Sequence, residues 1–74
     1  MKIYHVTVQF KDSIIRHHLS FVTTITDIQQ LKNKAKVEFS KKLEEWGKDV
    51  KDMISFEIYY YEDEKEISMF KYEI

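Results

Sequence analysis

Three histidines are the side chains best suited to metal binding or proton transfer in this sequence of 74 residues. His17 and His18 are neighbours, so in an extended strand they point to opposite faces and cannot ligate one metal ion together. His5 and His18 are expected to share a face, but no Asp, Glu or Cys completes a ligand set beside them. We therefore expect a buried, hydrogen-bonded His17 and two surface histidines. A metal-dependent enzyme using His5 and His18 is the least favoured alternative.

Patterns for nucleophilic catalysis and phosphate binding are missing from the sequence. The serines are scattered, and none lies beside the oriented base that activates a nucleophile. Gly47 is the only glycine, so no glycine-rich loop can hold a phosphate. The carboxylates of Glu62, Asp63 and Glu64 fall in a predicted turn, where exposed carboxylates are poor general acids. We predict that the protein is not an enzyme and uses no cofactor or metal.

Lysines crowd the first half of the predicted helix and support one alternative function. Such a cluster favours phosphate contacts, and aromatic residues on a sheet can stack nucleic-acid bases. The sequence pI of about 6.3, however, lacks the positive excess of a typical phosphate binder. A charged outer face is also the ordinary property of an amphipathic helix. Nucleic-acid binding therefore remains the alternative, and its candidate residues are Lys32, Lys34, Lys36, Lys41 and Lys42.

The C-terminal third contains more large apolar residues than one helix can cover. Alternation predicts strands over Met53–Tyr61 and Glu66–Ile74, with residues 62–65 as the turn between them. One strand face covers the helix, and the other is expected to keep Tyr59, Tyr61, Ile67 and Met69 exposed. Contiguous exposed apolar patches mark interfaces. The predicted protein interface comprises Met53, Tyr59, Tyr61, Glu62, Asp63, Glu64, Ile67 and Met69.

The charge of this region and the overall composition extend the interface hypothesis. Residues 53–74 carry six acidic side chains against two lysines, a net charge of −4, which favours a basic protein partner. A homodimer would cover the second sheet face. The richness in Lys, Ile, Tyr and Glu is typical of an AT-rich genome. We therefore expect a small non-enzymatic protein-binding module, of the kind that phages and mobile elements use as accessory proteins to inhibit or modulate a host protein.

A long apolar stripe predicts the helix that must position these surfaces. Thr26 or Asp27 can cap its start, with a glutamine three positions on as the partner. Glycine favours the left-handed conformation that ends helices, so we expect a helix from Ile28 to about Trp46, then an irregular turn to Asp52. Continuation past Gly47 is the alternative. The stripe consists of Ile28, Leu31, Ala35, Phe39, Leu43, Trp46, Val50 and Met53.

Two alternating segments predict an N-terminal hairpin. Strands are expected over Ile3–Phe10 and from Ile14 to about Thr24, with Asp12 and Ser13 as a two-residue loop. The register that makes one face apolar pairs Phe10 with Ile15, Val8 with His17, Val6 with Leu19 and Tyr4 with Phe21.

These elements predict a single α+β domain over residues 1–74, ββαββ, with one helix packed on a four-stranded antiparallel sheet in two layers. A chain this short buries only roughly 60% of its unfolded surface. Without cysteine, a signal sequence or an apolar run of ~20 residues, we expect a cytoplasmic protein with no membrane contact. The predicted core is Tyr4, Val6, Val8, Phe10, Leu19, Phe21, Ile28, Leu31, Ala35, Phe39, Leu43, Trp46, Ile54, Phe56, Ile58, Phe70 and Tyr72.

Overall fold

The chain folds as two antiparallel hairpins with one main helix between them, which confirms the predicted α+β architecture. The computed structural model describes residues 1–74. The sheet has four strands in the order β2-β1-β3-β4, so β1 and β3 join the two hairpins at its centre. The elements are β1 Lys2–Phe10, β2 His17–Thr23, α1 Ile28–Ser40, α2 Leu43–Trp46, a 3-10 turn Val50–Asp52, β3 Met53–Glu62 and β4 Lys65–Glu73.

The N-terminal hairpin has the predicted register along β2 but a longer turn. Tyr4 pairs with Phe21 and Val8 with His17, as expected. The predicted pairing of Phe10 with Ile15 is wrong, because the β1–β2 pairing ends at Val8 and His17 and leaves Ile15 outside β2. On its other side, Phe10 pairs with Met53 of β3 next to a β-bulge. The Lys11 amide also donates to the Asp52 carbonyl at 2.9 Å, which holds the end of β1 against the other hairpin. Residues 11–16 are consequently the connection, and Ile14 is 97% exposed.

The helix begins where predicted but is interrupted before its end. The Asp27 carboxylate accepts a hydrogen bond from the Gln30 amide at 3.0 Å and caps the first turn. A single helix to Trp46 is wrong, since α1 ends at Ser40 and α2 is a separate turn. Gly47 ends α2 with φ of 68° and ψ of 37°, the left-handed conformation predicted for it.

The core lies between α1 and one face of the sheet. All ten buried residues belong to the predicted core: Tyr4, Val6, Val8, Phe10, Phe21, Leu31, Ala35, Phe39, Phe56 and Ile58. Leu19, Leu43, Trp46 and Phe70 are half-buried against it. Ile28 and Tyr72 are each 40% exposed, contrary to prediction. Ile28 begins the helix, and Tyr72 lies on the edge strand β4. No helix has the length and apolar character needed to cross a bilayer.

Candidate functional site

The face of the sheet opposite α1 has no second layer, and we call it the open face. Strand alternation assigns its residues, because side chains at successive positions point to opposite sides. Val6, Val8 and Ile58 are fully buried under the helix, so their neighbours His5, Thr7 and Glu57 point to the open face. None of the ten buried residues lies on this side.

Three aromatic rings form a rigid group on the open face, which we call the aromatic cluster: His5, Tyr59 and Tyr61. The His5 ring stacks on Tyr59 with centroids 5.3 Å apart and meets Tyr61 edge-on at 5.4 Å. The two tyrosine rings are 5.8 Å apart and nearly perpendicular. His5 Nδ1 lies 2.8 Å from Ser20 Oγ, a hydrogen bond that orients the imidazole from the neighbouring strand.

Two exposed aliphatic side chains extend the aromatic cluster into a patch. Ile3 and Val22 are cross-strand partners at the same end of the sheet, and Ile3 lines a shallow depression together with His5 and Tyr61. Ile3, Val22 and Tyr61 are 56%, 52% and 56% exposed. We call this set of five the open-face patch: Ile3, His5, Val22, Tyr59 and Tyr61.

Tyr59 is the member of the patch with a perturbed acidity. Its pKa is raised, first because partial burial disfavours the charged phenolate, and then because Tyr61, Glu66 and Glu57 add negative charge nearby. The phenol therefore stays neutral over a wider pH range than an exposed tyrosine. A neutral hydroxyl on a half-buried ring can donate a hydrogen bond at a contact surface.

Acidic residues surround the patch on the C-terminal side. Three acids lie on the open face because their cross-strand partners do. The pairs are Glu57 with Thr7, Glu66 with Tyr61 and Glu73 with Ser55. The turn between β3 and β4 adds three further acids, Glu62, Asp63 and Glu64. Lys71 pairs with Glu57 across the strands and lies 3.2 Å from Glu73, and Arg16 lines the same depression as both acids. The net negative charge beside the patch therefore lies at Glu66 and the turn.

The β3–β4 turn holds two of these acids in an unusual conformation. Asp63 and Glu64 have φ of 51° and 66°, and Glu62 pairs with Lys65 across them. Two successive residues with positive φ match the type I′ hairpin turn, which asparagine and glycine normally occupy. The backbone therefore accepts some strain while projecting two carboxylates from the tip of the hairpin.

The structure divides the predicted protein interface between the two sides of the sheet. Tyr59 and Tyr61 lie on the open face, and Glu62, Asp63 and Glu64 lie at the tip, as predicted. The expected exposure of Ile67, Met69 and Met53 on that same face is wrong.

A β-bulge explains the reversal in β4. Ile58 pairs with Phe70, whereas the next residue, Tyr59, pairs with Ser68. Met69 is therefore an extra residue that reverses the alternation, which turns Ile67 to the side of its partner Tyr60. Met69 itself packs against the core.

A second bulge, at Ile54 of β3, places Met53. Ile54, which was predicted for the core, is the extra residue and is only half-buried. The register shifts between Gln9 and Phe10, so Met53 becomes the partner of the buried Phe10 and packs against the core. Sequence reasoning also missed Ile3, His5 and Val22 as patch residues. Their signal was present, because the predicted hairpin register already placed Ile3 opposite Val22 on the face away from the core.

The helix lysines do not form one surface. Lys34 and Lys41 both contact the Glu38 carboxylate, at 3.5 and 3.3 Å, and Lys42 contacts Glu45 at 3.4 Å. Partial desolvation raises the pKa of Glu38, but the two lysines outweigh it and lower the pKa overall. Lys32 and Lys36 form no ion pair.

The helix lysines also lie on different flanks of α1 relative to the sheet. The Lys34 ammonium lies 5.9 Å from the Phe21 ring on β2, whereas the Lys32 ammonium lies 4.4 Å from the Phe70 ring on β4. These two strands are opposite edges of the sheet. The lysines therefore lie on both flanks of α1, and those with free charge are on the β4 flank.

The histidines lie where alternation predicted, except for the hydrogen bonding of His17. His5 and His18 share the open face, and no group of three or more potential ligand side chains lies close enough together to hold a metal ion. His17 is half-buried and stacks on Trp46 with centroids 5.0 Å apart. Its Nε2 atom is buried without a hydrogen-bond partner, so the expected hydrogen-bonded His17 is wrong. Aromatic packing against Trp46 and Phe10 occupies the space that a polar partner would need.

Searches against protein-family models, curated proteins and solved structures find no match for this chain. The open-face patch is the surface where exposed apolar and aromatic side chains lie together on one face of the sheet.

Proposed function

We propose that the protein is a non-enzymatic protein-binding module and that the open-face patch is its interface. The observation that supports this most is the contiguity of Ile3, Val22 and Tyr61, each more than half exposed, around the stacked pair His5 and Tyr59. Scattered apolar residues on a surface need no explanation, but a continuous patch does. Tyrosine is enriched at interface centres because one rigid ring supplies both apolar area and a hydroxyl.

The charges around the patch support a basic partner protein. Glu57, Glu66 and the turn carboxylates lie on one side of the patch, and complementary charge at the rim of an interface speeds association and selects partners. The proposed setting is that of a cytoplasmic accessory protein from a phage or mobile element, which acts by covering a functional surface of a host protein.

A second copy of the chain is also a proposed occupant, because the open face is self-complementary. A two-fold axis parallel to the strands places β1 of one subunit over β3 of the other, so that Ile3 faces Tyr61 and His5 faces Tyr59. The molecule measures 34 × 21 Å along its two longer axes. In this arrangement the exposed side chains of Ile3 and Tyr61 in each copy are covered by those of the other copy. The homodimer is thus sterically and chemically reasonable.

Self-association is tested by placing charge in the patch. The variant carrying Ile3→Lys and Tyr61→Lys should sediment as a monomer at concentrations where the wild-type chain forms dimers. The matched control is Ile14→Lys, because Ile14 is more exposed than either residue and lies outside the patch. A wild-type chain that remains monomeric at millimolar concentration excludes the homodimer but leaves the partner hypothesis standing.

The partner hypothesis is tested by site-specific crosslinking. A photoreactive phenylalanine analogue at Tyr61 should capture a host protein in producing cells, whereas the same group at Ile14 should not. The captured protein, once purified, should bind the wild-type chain with an affinity that falls with salt and should not bind Ile3→Lys/Tyr61→Lys. An affinity that is the same for the wild-type chain and the patch variant, and that does not change with salt concentration, contradicts the proposal.

The nucleic-acid alternative is weakened by the ion pairs of Lys34, Lys41 and Lys42, which leave few free cations on the helix. Retention of the wild-type chain on single-stranded DNA or RNA at low salt, lost in Lys32→Glu/Lys36→Glu, would revive it.

A further inference from the structure

A groove on the helix side of the sheet is left open because one helix cannot cover four strands. Neighbouring strands are ~4.8 Å apart and a helix with its side chains is ~10 Å wide, so α1 covers about two strands. Its buried residues Leu31, Ala35 and Phe39 belong to the same buried core as Val6 and Phe56 of the central strands. The helix reaches both edge strands, yet Tyr72 of β4 stays 40% exposed and lines a groove beside α1.

The floor of this groove is apolar and accessible. Phe56, Phe70 and Tyr72 form a row of rings whose centroids are 5.3 and 5.9 Å from the central Phe56. Met53 and Val50 continue the floor at one end. Val50 is 51% exposed. We call this surface the β4 groove: Val50, Met53, Phe56, Phe70 and Tyr72.

The rim of the β4 groove is positively charged. Lys32 and Lys36 line it one helical turn apart, and they are the two helix lysines that have no carboxylate partner. The Lys32 ammonium rests 4.4 Å from the centroid of the Phe70 ring, over the floor itself. The acids Glu57, Glu66 and Glu73 lie on the opposite face of the sheet, so they do not neutralise this rim.

We propose that the β4 groove binds an amphipathic α-helix of a partner protein, with an apolar stripe on Phe70 and Tyr72 and acidic residues facing Lys32 and Lys36. A helix laid parallel to α1 fills the uncovered width of the sheet and completes the two-layer packing. Its acidic flank pairs with the free ammonium groups, as charges beside a helix interface do. This site is distinct from the open-face patch, and it does not depend on the function proposed there.

The chemistry of the groove favours a peptide helix over a nucleic acid. Binding of single-stranded nucleic acid combines stacking with a track of cations along the backbone. The groove offers only two free lysines, and Val50 and Met53 make part of its floor aliphatic. Aliphatic side chains pack well against the leucines of a helix and provide no stacking surface for a base.

The test uses two helix-stabilised peptides of about 15 residues. Both have the same leucine stripe and contain no tryptophan. One carries glutamates beside the stripe and the other carries lysines at the same positions. Titrated against the labelled wild-type chain, the acidic peptide should bind about fivefold to tenfold more tightly than the basic one, since two exposed ion pairs each contribute a few-fold. Lys32→Glu/Lys36→Glu should invert this preference.

Two control variants make the result specific. Lys51→Glu/Lys65→Glu changes the net charge equally at exposed positions outside the groove and should keep the wild-type preference. Ile3→Lys/Tyr61→Lys should also bind the acidic peptide normally, which separates failure of this site from failure of the open-face patch. Tyr72→Asp should abolish binding of the acidic peptide, and circular dichroism confirms that each variant is folded.

Any of the following results would overturn the proposal. One is that the two peptides bind equally well or that neither binds. Another is that Tyr72→Asp leaves binding of the acidic peptide unchanged. A third is that the wild-type chain self-associates and Tyr72→Asp removes this self-association. The last result would assign the β4 groove to a second copy of the chain. Tight binding of oligo(dT) that the acidic peptide cannot displace would assign it to nucleic acid.

Discussion

The two faces of the sheet differ in how far their apolar side chains are buried. On the helix side, ten residues are buried and supply the hydrophobic free energy that holds this small domain together. On the open face, the aromatic cluster is organised by ring contacts and one hydrogen bond, yet Tyr61 remains more than half exposed. The stabilising core and the open-face patch are therefore on opposite sides of one sheet.

The electrostatics of the two accessible apolar surfaces are opposite in sign. The open-face patch is bordered by carboxylates of β3, β4 and their turn, whereas the β4 groove is bordered by Lys32 and Lys36. Because the sheet separates them, each surface can select a partner of the opposite charge. The near-neutral net charge of −1 conceals this arrangement.

The largest effect is expected from truncating matched aromatic residues on the two sides. Phe56→Ala removes a ring that is 3% exposed and should lower the free energy of unfolding by about 3–5 kcal/mol, enough to unfold much of the population. Tyr61→Ala should lower it by less than about 1 kcal/mol. Urea denaturation followed by circular dichroism measures both. Equal losses would mean that the open face is also part of the stabilising core.

An intermediate effect is expected from relaxing the strained turn. Asp63→Asn/Glu64→Gly supplies the residues that a type I′ turn prefers and should raise the free energy of unfolding by about 1–2 kcal/mol. The same variant removes two carboxylates, so it should slow association with a basic partner. A variant that gains stability without losing association would show that the acids at the tip have no part in recognition.

A smaller effect is expected from His17, whose Nε2 is a buried polar atom without a partner. His17→Phe keeps a ring against Trp46 and removes that atom, so the unfolding free energy should rise by up to about 1 kcal/mol. His17→Ala is the matched control, because it also removes the ring stacking and should destabilise. Tryptophan fluorescence reports the environment of Trp46 in both variants.

The smallest effect concerns Tyr59 and alkaline pH. Its folded-state pKa is raised above the ordinary value near 10, so the neutral phenol contributes stability below that value and the contribution is lost as pH rises through the folded-state pKa. Tyr59→Phe should therefore lose less stability than the wild-type chain above about pH 10. In an absorbance titration at alkaline pH, the variant should lack a tyrosinate transition that lies above the ordinary tyrosine value. An unchanged titration would indicate that Tyr59 is as solvated as the other exposed tyrosines.

Local pattern was sufficient for the core and for most of the elements. Alternation in β1 placed Tyr4, Val6 and Val8 on one face, and a one-residue shift would have moved them all to solvent. Gly47 marked the end of α2, because any residue other than glycine would adopt the left-handed conformation there only at a cost. The interruption between Ser40 and Leu43 has no breaker residue, and it follows instead from the packing of Leu43 and Trp46 against the core.

The candidate interface was predicted less well because it depended on exact alternation. The two bulges, one at Ile54 of β3 and one at Met69 of β4, each change which face a side chain takes, and neither contains the glycine that marks many bulges. Met53, Ile67 and Met69 therefore moved to the helix side. Tyr59 and Tyr61 kept their predicted face because β3 alternates regularly through both positions.

Periodicity alone determined that this chain forms two hairpins around a helix, and it predicted a core that includes all ten buried side chains, because burial of a stripe at a fixed spacing is a local requirement. The strand order β2-β1-β3-β4, the bulges and the position of α1 across the sheet required tertiary structure, because each is a competition between distant segments for the same partners. That competition left one aromatic face open and one lysine-bordered groove beside β4, and these are the two surfaces at which we propose that the protein binds partners.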